Sequence, residues 1–541
     1  MGFLKMFNYI EKNLNSLELI NTNNPIFFDT ETIGLYGRTR LVQLRQGDLS
    51  LVFDCFYVNI EDIKYFLKNC HLIGHNIHYD LSCQDFRRWV PHKIDDTMIL
   101  AKAMWPDLMS HSLKSLSEFL NLDNKTDEGK SNWANYNLTE DQIKYAHIDT
   151  LLVEKIYEKI DKNIIDSTYY KLDIKNIMLS LVYQNKGMPL DHKNIAKFKR
   201  EMIKGLNSSS LPKDLNINSP LQVKKFLNIE SSSKETLAAL NTPLAKEILD
   251  QRHYTKALSY LEDFKNYNFL YSFINPAGAK TGRFTSKGGD TYKDYDYVNL
   301  QQIPRKLKSI FKVNKPALFV TADYPALEVW MCGAIIADEF LVGVLKNKED
   351  LHYSAAEKMF NKSRDLISKD ERMIAKMCNF TLMYGAGFNT LAEAFVTNGF
   401  SEVSKNAKQF REDWLKTYKQ IDLEQQKVFK HFKTHKNMMT YTALGRPMCA
   451  FKPTEALNFS IQGSGAECTK LALVLLSKEG IMPANTVHDS IALIASNEKE
   501  AQEYAECLKY SMEEAYRRVI RNCKANDLSL EVTVNIGEEY E

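Results

Sequence analysis

The sequence predicts an α/β multidomain protein, and three observations carry that reading. A chain of 541 residues exceeds what one hydrophobic core can hold, so at least two compact units in series are expected, and four in the fullest reading. From Pro25 to about Ile160, short apolar runs alternate with helical stretches. Beyond Ala317, strand-like runs at Leu318–Ala322, Thr486–Ile494 and Leu528–Ile536 enclose a long helical region from 350 to 435, as one sheet interrupted by a helical insertion would.

Within the first unit, Ile26-Phe27-Phe28 reads as a buried strand, Leu41–Leu44 with Leu49–Phe53 as a hairpin around Gln46-Gly47-Asp48, and His71–Gly74 as a further strand. Helices are expected over 60–68, 95–105 and 139–160. The stretch from 165 to 285 is mostly helical and Lys-rich, broken at Ser231-Ser232-Ser233, and the Tyr- and Asp-rich Gly288–Tyr297 reads as an exposed loop.

Bulk composition excludes more than it proposes. The hydrophobic share, 44%, is that of an ordinary globular chain, and 70 Lys plus Arg against 68 Asp plus Glu would not by itself suggest a nucleic-acid partner. Residues 191–286 hold fifteen Lys or Arg against nine Asp or Glu, enough to follow a phosphate backbone, although a solvated helical face is the commoner source of such a bias. The nine cysteines include no C-x-x-C pair, so neither a zinc knuckle nor a disulfide framework is indicated and reduced thiols are expected. Met1–Glu11 lacks the apolar core and cleavage site of a secretion signal, and no run of about 18 apolar residues occurs. A cytoplasmic protein without a membrane partner is expected.

Phe27-Phe28-Asp29-Thr30-Glu31 ends an apolar strand with two carboxylates that period-two geometry turns to one face. Two acids so placed repel unless a cation sits between them, yet D-x-E alone is more often a surface pair. Two later segments join it: His75-Asn76-Ile77-His78-Tyr79-Asp80 after the next strand, and Tyr145-Ala146-His147-Ile148-Asp149 in a helix, where Tyr145 and Asp149 share a face. The intervening histidines read as packing or surface residues. In order and spacing these segments resemble the DEDD exonucleases, in the subtype with a tyrosine before the last aspartate. The resemblance covers about 150 residues. It implies an RNase H-like fold, two Mg²⁺ or Mn²⁺ ions on Asp29, Glu31, Asp80 and Asp149, and a water-orienting role for Tyr145.

Val320-Thr321-Ala322-Asp323 and Thr486-Val487-His488-Asp489 each place an aspartate at the end of an apolar strand. Two strand-borne acids can clamp two Mg²⁺ ions and a nucleoside triphosphate, as phosphoryl transfer to a 3′-hydroxyl requires. Between them Arg372, Lys376, Phe380 and Tyr384 recur every four residues, so a helix would set two cations and then two aromatics along one stripe. In a generic helix these would be two solvated cations and two core rings.

The arrangement resembles motif B of the family A DNA polymerases. Thr281-Gly282-Arg283 with Asn299-Leu300-Gln301-Gln302-Ile303-Pro304, Asp323 with Glu328, Asp350-Leu351-His352, Asn458 with Gln462-Gly463, and His488-Asp489 continue the likeness in order. The resemblance implies a right-hand polymerase after the exonuclease: residues 1–165 the exonuclease, 166–541 the polymerase, with a thumb at about 166–285, a palm at about 286–345 and 435–541, and fingers at about 346–434. It implies catalytic metals on Asp323 and Asp489, a triphosphate grip by Arg372, Lys376 and His352, with Lys376 also able to protonate pyrophosphate, and a nucleotide pocket shaped by Phe380 and Tyr384. Glu328 would crowd the sugar 2′ position. Arg283, Asn299, Gln301, Asn458 and Gln462 would contact primer and template, and His488 the primer end.

Primer-template DNA and dNTPs are the implied partners of an expected monomer, with a processivity factor, a helicase or a single-strand-binding protein as further ones. Motif A departs from the family in Pro325-Ala326-Leu327, and motif C in Ser490 where a second acid is usual. The chain begins almost at the exonuclease, leaving no room for a 5′ nuclease. Its Lys-, Asn- and Ile-rich composition looks more like a phage replicase, in a host cytoplasm, than a cellular repair enzyme. A single-subunit RNA polymerase and a non-catalytic DNA-binding scaffold are the rival readings; the exonuclease segment and Glu328 oppose the first, and the retained acids and cations oppose the second.

Overall fold

The structure, a computed structural model, describes residues 9–122, 129, 131–240, 242–287 and 298–540; the expected loop Gly288–Tyr297 lies outside them. The first unit is built on strands β1 (Ile26–Ile33), β2 (Arg38–Gln46), β3 (Leu49–Asp54), β4 (His71–Gly74) and β5 (Lys93–Asp96), in the order β3-β2-β1-β4-β5. β1 pairs antiparallel with β2 and parallel with β4, and Gly47 at φ +59° makes the expected β2–β3 hairpin turn. Helices α1 (Ile60–Leu67), α2 (Ile77–Asp80), α3 (Thr97–Met104), α4 (Leu113–Phe119) and α5 (Glu140–Lys159) surround this sheet. A capping box starts α5: Thr139 Oγ1 accepts from the Gln142 N–H while the Gln142 side chain accepts from the Thr139 N–H. That cap sets the helical phase that buries Tyr145, Ile148, Asp149 and Leu152 against the sheet.

After the short α6 (Asn163–Asp166), α7 (Thr168–Tyr183) runs between the two halves of the molecule. On one side Tyr170 Oη donates to Asp95 at 2.7 Å, Ser180 Oγ meets His78 Nε2 at 3.0 Å, and Gln184, just beyond the helix, reaches Ser82 at 3.3 Å. On the other, Asn176 donates to the Lys470 carbonyl and Asp173 takes ion pairs from Arg446 and Lys470.

The Lys-rich region folds as expected into helices α8 (His192–Asn207), α9 (Pro220–Leu227), α10 (Lys234–Leu240) and α11 (Pro243–Phe264), preceded by β6 (Met188–Pro189), which pairs with β7 (Phe269–Leu270). The serine break falls between α9 and α10. A second small pair, β8 (Phe273–Asn275) with β9 (Thr285–Lys287), follows.

β10 (Leu318–Asp323) begins the last sheet, and helices α12 (Leu327–Ile336), α13 (Glu339–Lys346), α14 (Leu351–Phe360), α15 (Lys369–Leu382), α16 (Phe388–Thr397), α17 (Ser401–Ser404), α18 (Ala407–Thr417) and α19 (Lys419–Phe432) form the insertion. The hairpin β11 (Met438–Tyr441) and β12 (Pro447–Ala450), the long α20 (Pro453–Lys478), β13 (Asn485–Val487), β14 (Ser490–Ala495), α21 (Glu498–Val519) and β15 (Thr533–Gly537) complete the chain. The sheet order is β13-β14-β10-β15. One apolar core joins Val320, Ala322 and Leu493 of this sheet to Leu473 and Leu508 beneath it and to Phe395 and Trp414 of the helical insertion.

Three expectations are corrected. Thr486–Ile494 is not one strand but two antiparallel ones, because His488 takes φ +53° and turns the chain, so Asp489 sits in the hairpin turn rather than at a strand end. Over Leu528–Ile536 only Thr533 onward is strand; Leu528, Leu530 and Val532 alternate as buried residues without ladder partners. The 372–384 stripe is helical only to Leu382, since Gly385 at φ +78° ends the helix and leaves Tyr384 in the turn.

Candidate active sites

Asp29 and Glu31 lie on β1 opposite Gln43 and Leu41 of β2, and Asp149 comes to them from α5. One carboxylate oxygen from each of the three falls within 4.8 Å of the others. Three hard oxygen donors at that spacing fit a divalent cation of the Mg²⁺ or Ca²⁺ class. Asp80, on α2, lines the same cavity of about 500 Å³, but its Oδ1 accepts from Thr30 N–H at 3.1 Å and Thr30 Oγ1 at 2.7 Å. Burial pushes the Asp80 carboxyl well above its ordinary range, against the Thr30 and Asp29 hydrogen bonds. Tyr145 is buried beside the acids, and burial, with Asp149, Glu31 and Asp29 adding to it, holds its hydroxyl protonated. The structure thus gathers all five expected residues, and it adds Thr30, Gln43 and Trp133, which no motif pointed to.

In the last sheet, Asp323 ends β10 directly opposite Ser490, so the antiparallel ladder puts Asp489 next to it across 166 residues of chain; the Tyr324 N–H reaches the Asp489 carbonyl at 3.5 Å. Both acids line a cavity of about 480 Å³ with Gln301, Glu328, Phe380 and His488. Burial raises Asp323 above the ordinary carboxylate range, opposed by Lys308 and Arg305. Burial likewise pushes Asp489 up to about 6, with Arg283 opposing and Asp323 reinforcing. Lys308, Arg305 and Tyr540 line the same cavity and were not legible in advance, because nothing in their local spacing ties them to the acids.

Glu328 is held from two sides: Arg283 Nη2 donates to Oε1 and the Tyr384 hydroxyl donates to Oε2. Phe380, half-exposed, opens onto the cavity rather than into the core, contrary to the generic-helix reading. Arg372, partly exposed, is paired rather than free in solvent: it forks onto Asp350 Oδ2 at 2.6 and 3.2 Å and stacks over Tyr353. His352 meets Asn379 at 3.1 Å and packs 5.6 Å from the Phe380 ring, and burial pushes its pKa down to about 4. Lys376 is half-buried on the same helix. Asn299 caps a 3-10 turn through the Gln301 N–H, while Asn458 and Gln462 lie on α20 outside the cavity lining, with Asn458 Oδ1 buried and unpartnered among the described residues.

Comparison with known proteins places these geometries in context. The family described as DNA polymerase family A matches residues 190–541, and the 3′-5′ exonuclease family matches residues 7–165. DNA polymerase I of Aquifex aeolicus (strain VF5) is 27% identical over 570 aligned positions, covering 96% of each chain. The DNA polymerase of Mycobacterium phage D29 is 28% identical over 250, covering 44% of this chain and 38% of that one, and DNA polymerase I of Borreliella burgdorferi 26% identical over 428, covering 70% and 44%. The chain therefore spans nearly all of the Aquifex protein and less than half of the other two. Among solved structures, the POL domain of Pol1 from M. smegmatis, in complex with DNA primer-template and dNTP, shares the fold at a TM-score of 0.75 with 19% identity, over 97% of both chains. No helix among the described residues is long and apolar enough to cross a membrane.

The raised Asp489 carboxyl makes metal-free stability depend on pH. Its folded pKa lies above the ordinary 3.8, so the stability present below that value is lost as pH rises through about 6. In chelator, the melting temperature of Asp489→Asn is therefore expected to gain on that of the parent between about pH 4 and pH 7. A difference that stays constant across that range would contradict the burial of this group.

Proposed function

We propose a function for each acidic cavity from an established premise: the chain belongs to DNA polymerase family A and is a DNA-directed DNA polymerase with a 3′-5′ exonuclease domain ahead of it. On that footing we propose that the cavity around Asp323 and Asp489 adds deoxynucleotides to a primer 3′ end, and that the cavity around Asp29, Glu31, Asp80 and Asp149 shortens the same end as proofreading. The observation that carries the proposal is the placing of two acidic cavities on two separate sheets, one anchored by Asp29 and Glu31 of β1 and the other by Asp323 at the end of β10. DNA replication is the proposed setting. Primer-template DNA and dNTPs, the molecules in complex with the M. smegmatis POL domain, are the proposed ligands here.

Asp29, Glu31 and Asp149, with Asp80 behind them, would hold Mg²⁺ or Mn²⁺ in the first cavity, and Asp323 with Asp489 in the second. Such ions supply activation of the attacking oxygen and neutralisation of phosphate charge. The chain's own groups do the rest. Tyr145, kept protonated, donates a hydrogen bond that orients water at the 3′ end. Arg372 and His352, now turned to Asp350 and Asn379, grip a triphosphate with Lys376, which protonates pyrophosphate as it leaves. Glu328, clamped by Arg283 and Tyr384, stands where a ribose 2′-hydroxyl would have to fit, and so favours deoxynucleotides. Phe380 packs beside the incoming sugar. His488 lies at the primer end, and Arg283, Asn299, Gln301, Asn458 and Gln462 follow the duplex on its minor-groove side. In this reading residues 166–285 act as thumb, 286–345 and 435–541 as palm, and 346–434 as fingers. A processivity factor, a helicase or a single-strand-binding protein would act on the working monomer.

The two activities are expected to separate. Asp29→Ala with Glu31→Ala should lower 3′ shortening by at least about 100-fold while extension continues, and Asp323→Ala or Asp489→Ala should do the reverse. Parallel loss of both activities in folded variants would contradict two independent sites. Phe380→Tyr, in the exonuclease-deficient background, should raise dideoxynucleotide incorporation relative to dNTP by about tenfold, because an added hydroxyl can replace the missing 3′-hydroxyl near the phosphates. An unchanged ratio would remove Phe380 from the nucleotide pocket.

A further inference from the structure

Four charged side chains from three distant segments meet out of water below the Glu328 clamp. Asp173 on α7 and Lys470 on α20 are fully buried, Glu467 on α20 is 1% exposed, and Arg446, in the loop between β11 and β12, is 12% exposed. Arg446 forks onto Asp173 with Nη1–Oδ2 2.5 Å and Nη2–Oδ1 2.9 Å, while Lys470 Nζ lies 2.5 Å from Asp173 Oδ1. Arg446 Nε lies 3.4 Å from Glu467 Oε1, and Glu467 accepts from Thr442 Oγ1 at 2.7 Å and from the Leu444 N–H at 3.2 Å. Thr442 Oγ1 in turn accepts from the Arg446 N–H at 3.0 Å.

This cluster is the floor under the Thr281–Arg283 segment. A Cβ on Gly282, which takes φ +74°, would come within 3.2 Å of Arg446 Nε, so the backbone lies directly on the guanidinium. A Cβ on Gly463 would come within 3.2 Å of the Thr281 carbonyl and 2.6 Å of Thr442 Cγ2, closing the segment in from the α20 side. Lys470 lies below the Phe284 ring at 5.8 Å. Arg283, between Gly282 and Phe284, projects from this supported segment to Glu328.

We propose that Arg446, fixed by Asp173 and Glu467, is a positioning residue for sugar selection: it sets the height of the Thr281–Arg283 backbone and through Arg283 the place of the Glu328 carboxylate. This rests on the reading of Glu328 as the group that crowds the 2′ position. A planar fork bonded to one carboxylate and ion-paired with a second has one orientation, whereas a lysine at the same position keeps the charge and loses the plane on which Gly282 rests. The cluster lines neither acidic cavity; its effect is on where Glu328 stands.

The test compares ribonucleotide with deoxynucleotide incorporation by Arg446→Lys and by Thr442→Val, which removes the hydroxyl bracing Glu467 and Arg446 without stranding a buried charge; Glu328→Ala serves as reference. Folding is checked by circular dichroism, and all chains carry an active exonuclease assayed on single strands. Each folded variant is expected to raise the ribonucleotide to deoxynucleotide ratio by about fivefold, the effect of weakening one ordinary hydrogen bond, with single-strand shortening changed by less than about twofold. A structural cluster alone would lower thermal stability and both incorporation rates together, leaving the ratio where it was. An unchanged ratio in both variants, with a raised ratio in Glu328→Ala, overturns the positioning role and leaves the Glu328 reading standing. An unchanged ratio in Glu328→Ala overturns that reading and the positioning role with it.

Discussion

Asp173 sits without solvent in the middle of the molecule, and a carboxylate so placed persists only if cations meet it. Burial alone would raise its pKa, yet Arg446 and then Lys470 hold it below the ordinary carboxylate value, while Lys470, by burial, is pushed down to about 8. Removing Asp173 leaves Lys470 buried without its carboxylate and Arg446 with Glu467 alone, which is far costlier than loss of a surface pair. The geometry of the cluster is therefore tightly specified. Because Asp173 rides on α7, the specification spreads outward: the same helix carries Tyr170 to Asp95 and Ser180 to His78 in the first unit, and Asn176 to α20 in the second. The matched families end at residue 165 and resume at residue 190, so the helix that joins the two enzymes belongs to neither match.

Each catalytic cavity meets the same difficulty of like charges brought together, and each meets it through a sheet. In the exonuclease domain, β1 sets two acids on one face and α5 brings the third, a spacing that fits a cation. In the polymerase, the β10–β14 ladder aligns Asp323 with Ser490, and the tight turn at His488 puts Asp489 beside it. The two differ in readiness. The exonuclease acids already converge, whereas Arg372 and His352 are occupied by Asp350 and Asn379, so the proposed triphosphate grip would require α14 and α15 to exchange internal partners. Ser490, where the family often has an acid, donates to the Val487 carbonyl at 2.9 Å and stabilises the turn instead.

Much of this was legible in the sequence where the cause is local. The β1 and β4 strands, the hairpin at Gly47 and α5 follow from apolar periodicity and turn chemistry, and the same periods set Asp29 with Glu31 and Tyr145 with Asp149 on one face each, whereas joining these acids to Asp80, and Asp323 to Asp489, rested on the family resemblance. Long-range causes were not legible. Asp173 is separated from Arg446 and Lys470 by 273 and 297 residues, and their identities are those of ordinary surface residues, so no spacing marks them as partners. Lys308 and Tyr540 join the polymerase cavity only through the packing of distant segments, with the lysine 4.7 Å above the ring. Leu528, Leu530 and Val532 alternate as a strand would because one side of the chain covers the core, yet no strand among the described residues pairs with them.

The central claim is that one chain holds two carboxylate sites that act on the same primer end and draw on different substrates. The most direct measurement follows a 5′-labelled primer on a template, incubated with the unmodified protein and Mg²⁺, first without dNTPs and then after their addition. The account predicts progressive shortening in the first phase, and in the second a reversal to full-length product from the shortened primers. Shortening that continues unchanged after dNTPs are added, or a primer that stays intact in the first phase and is extended in the second, would contradict it.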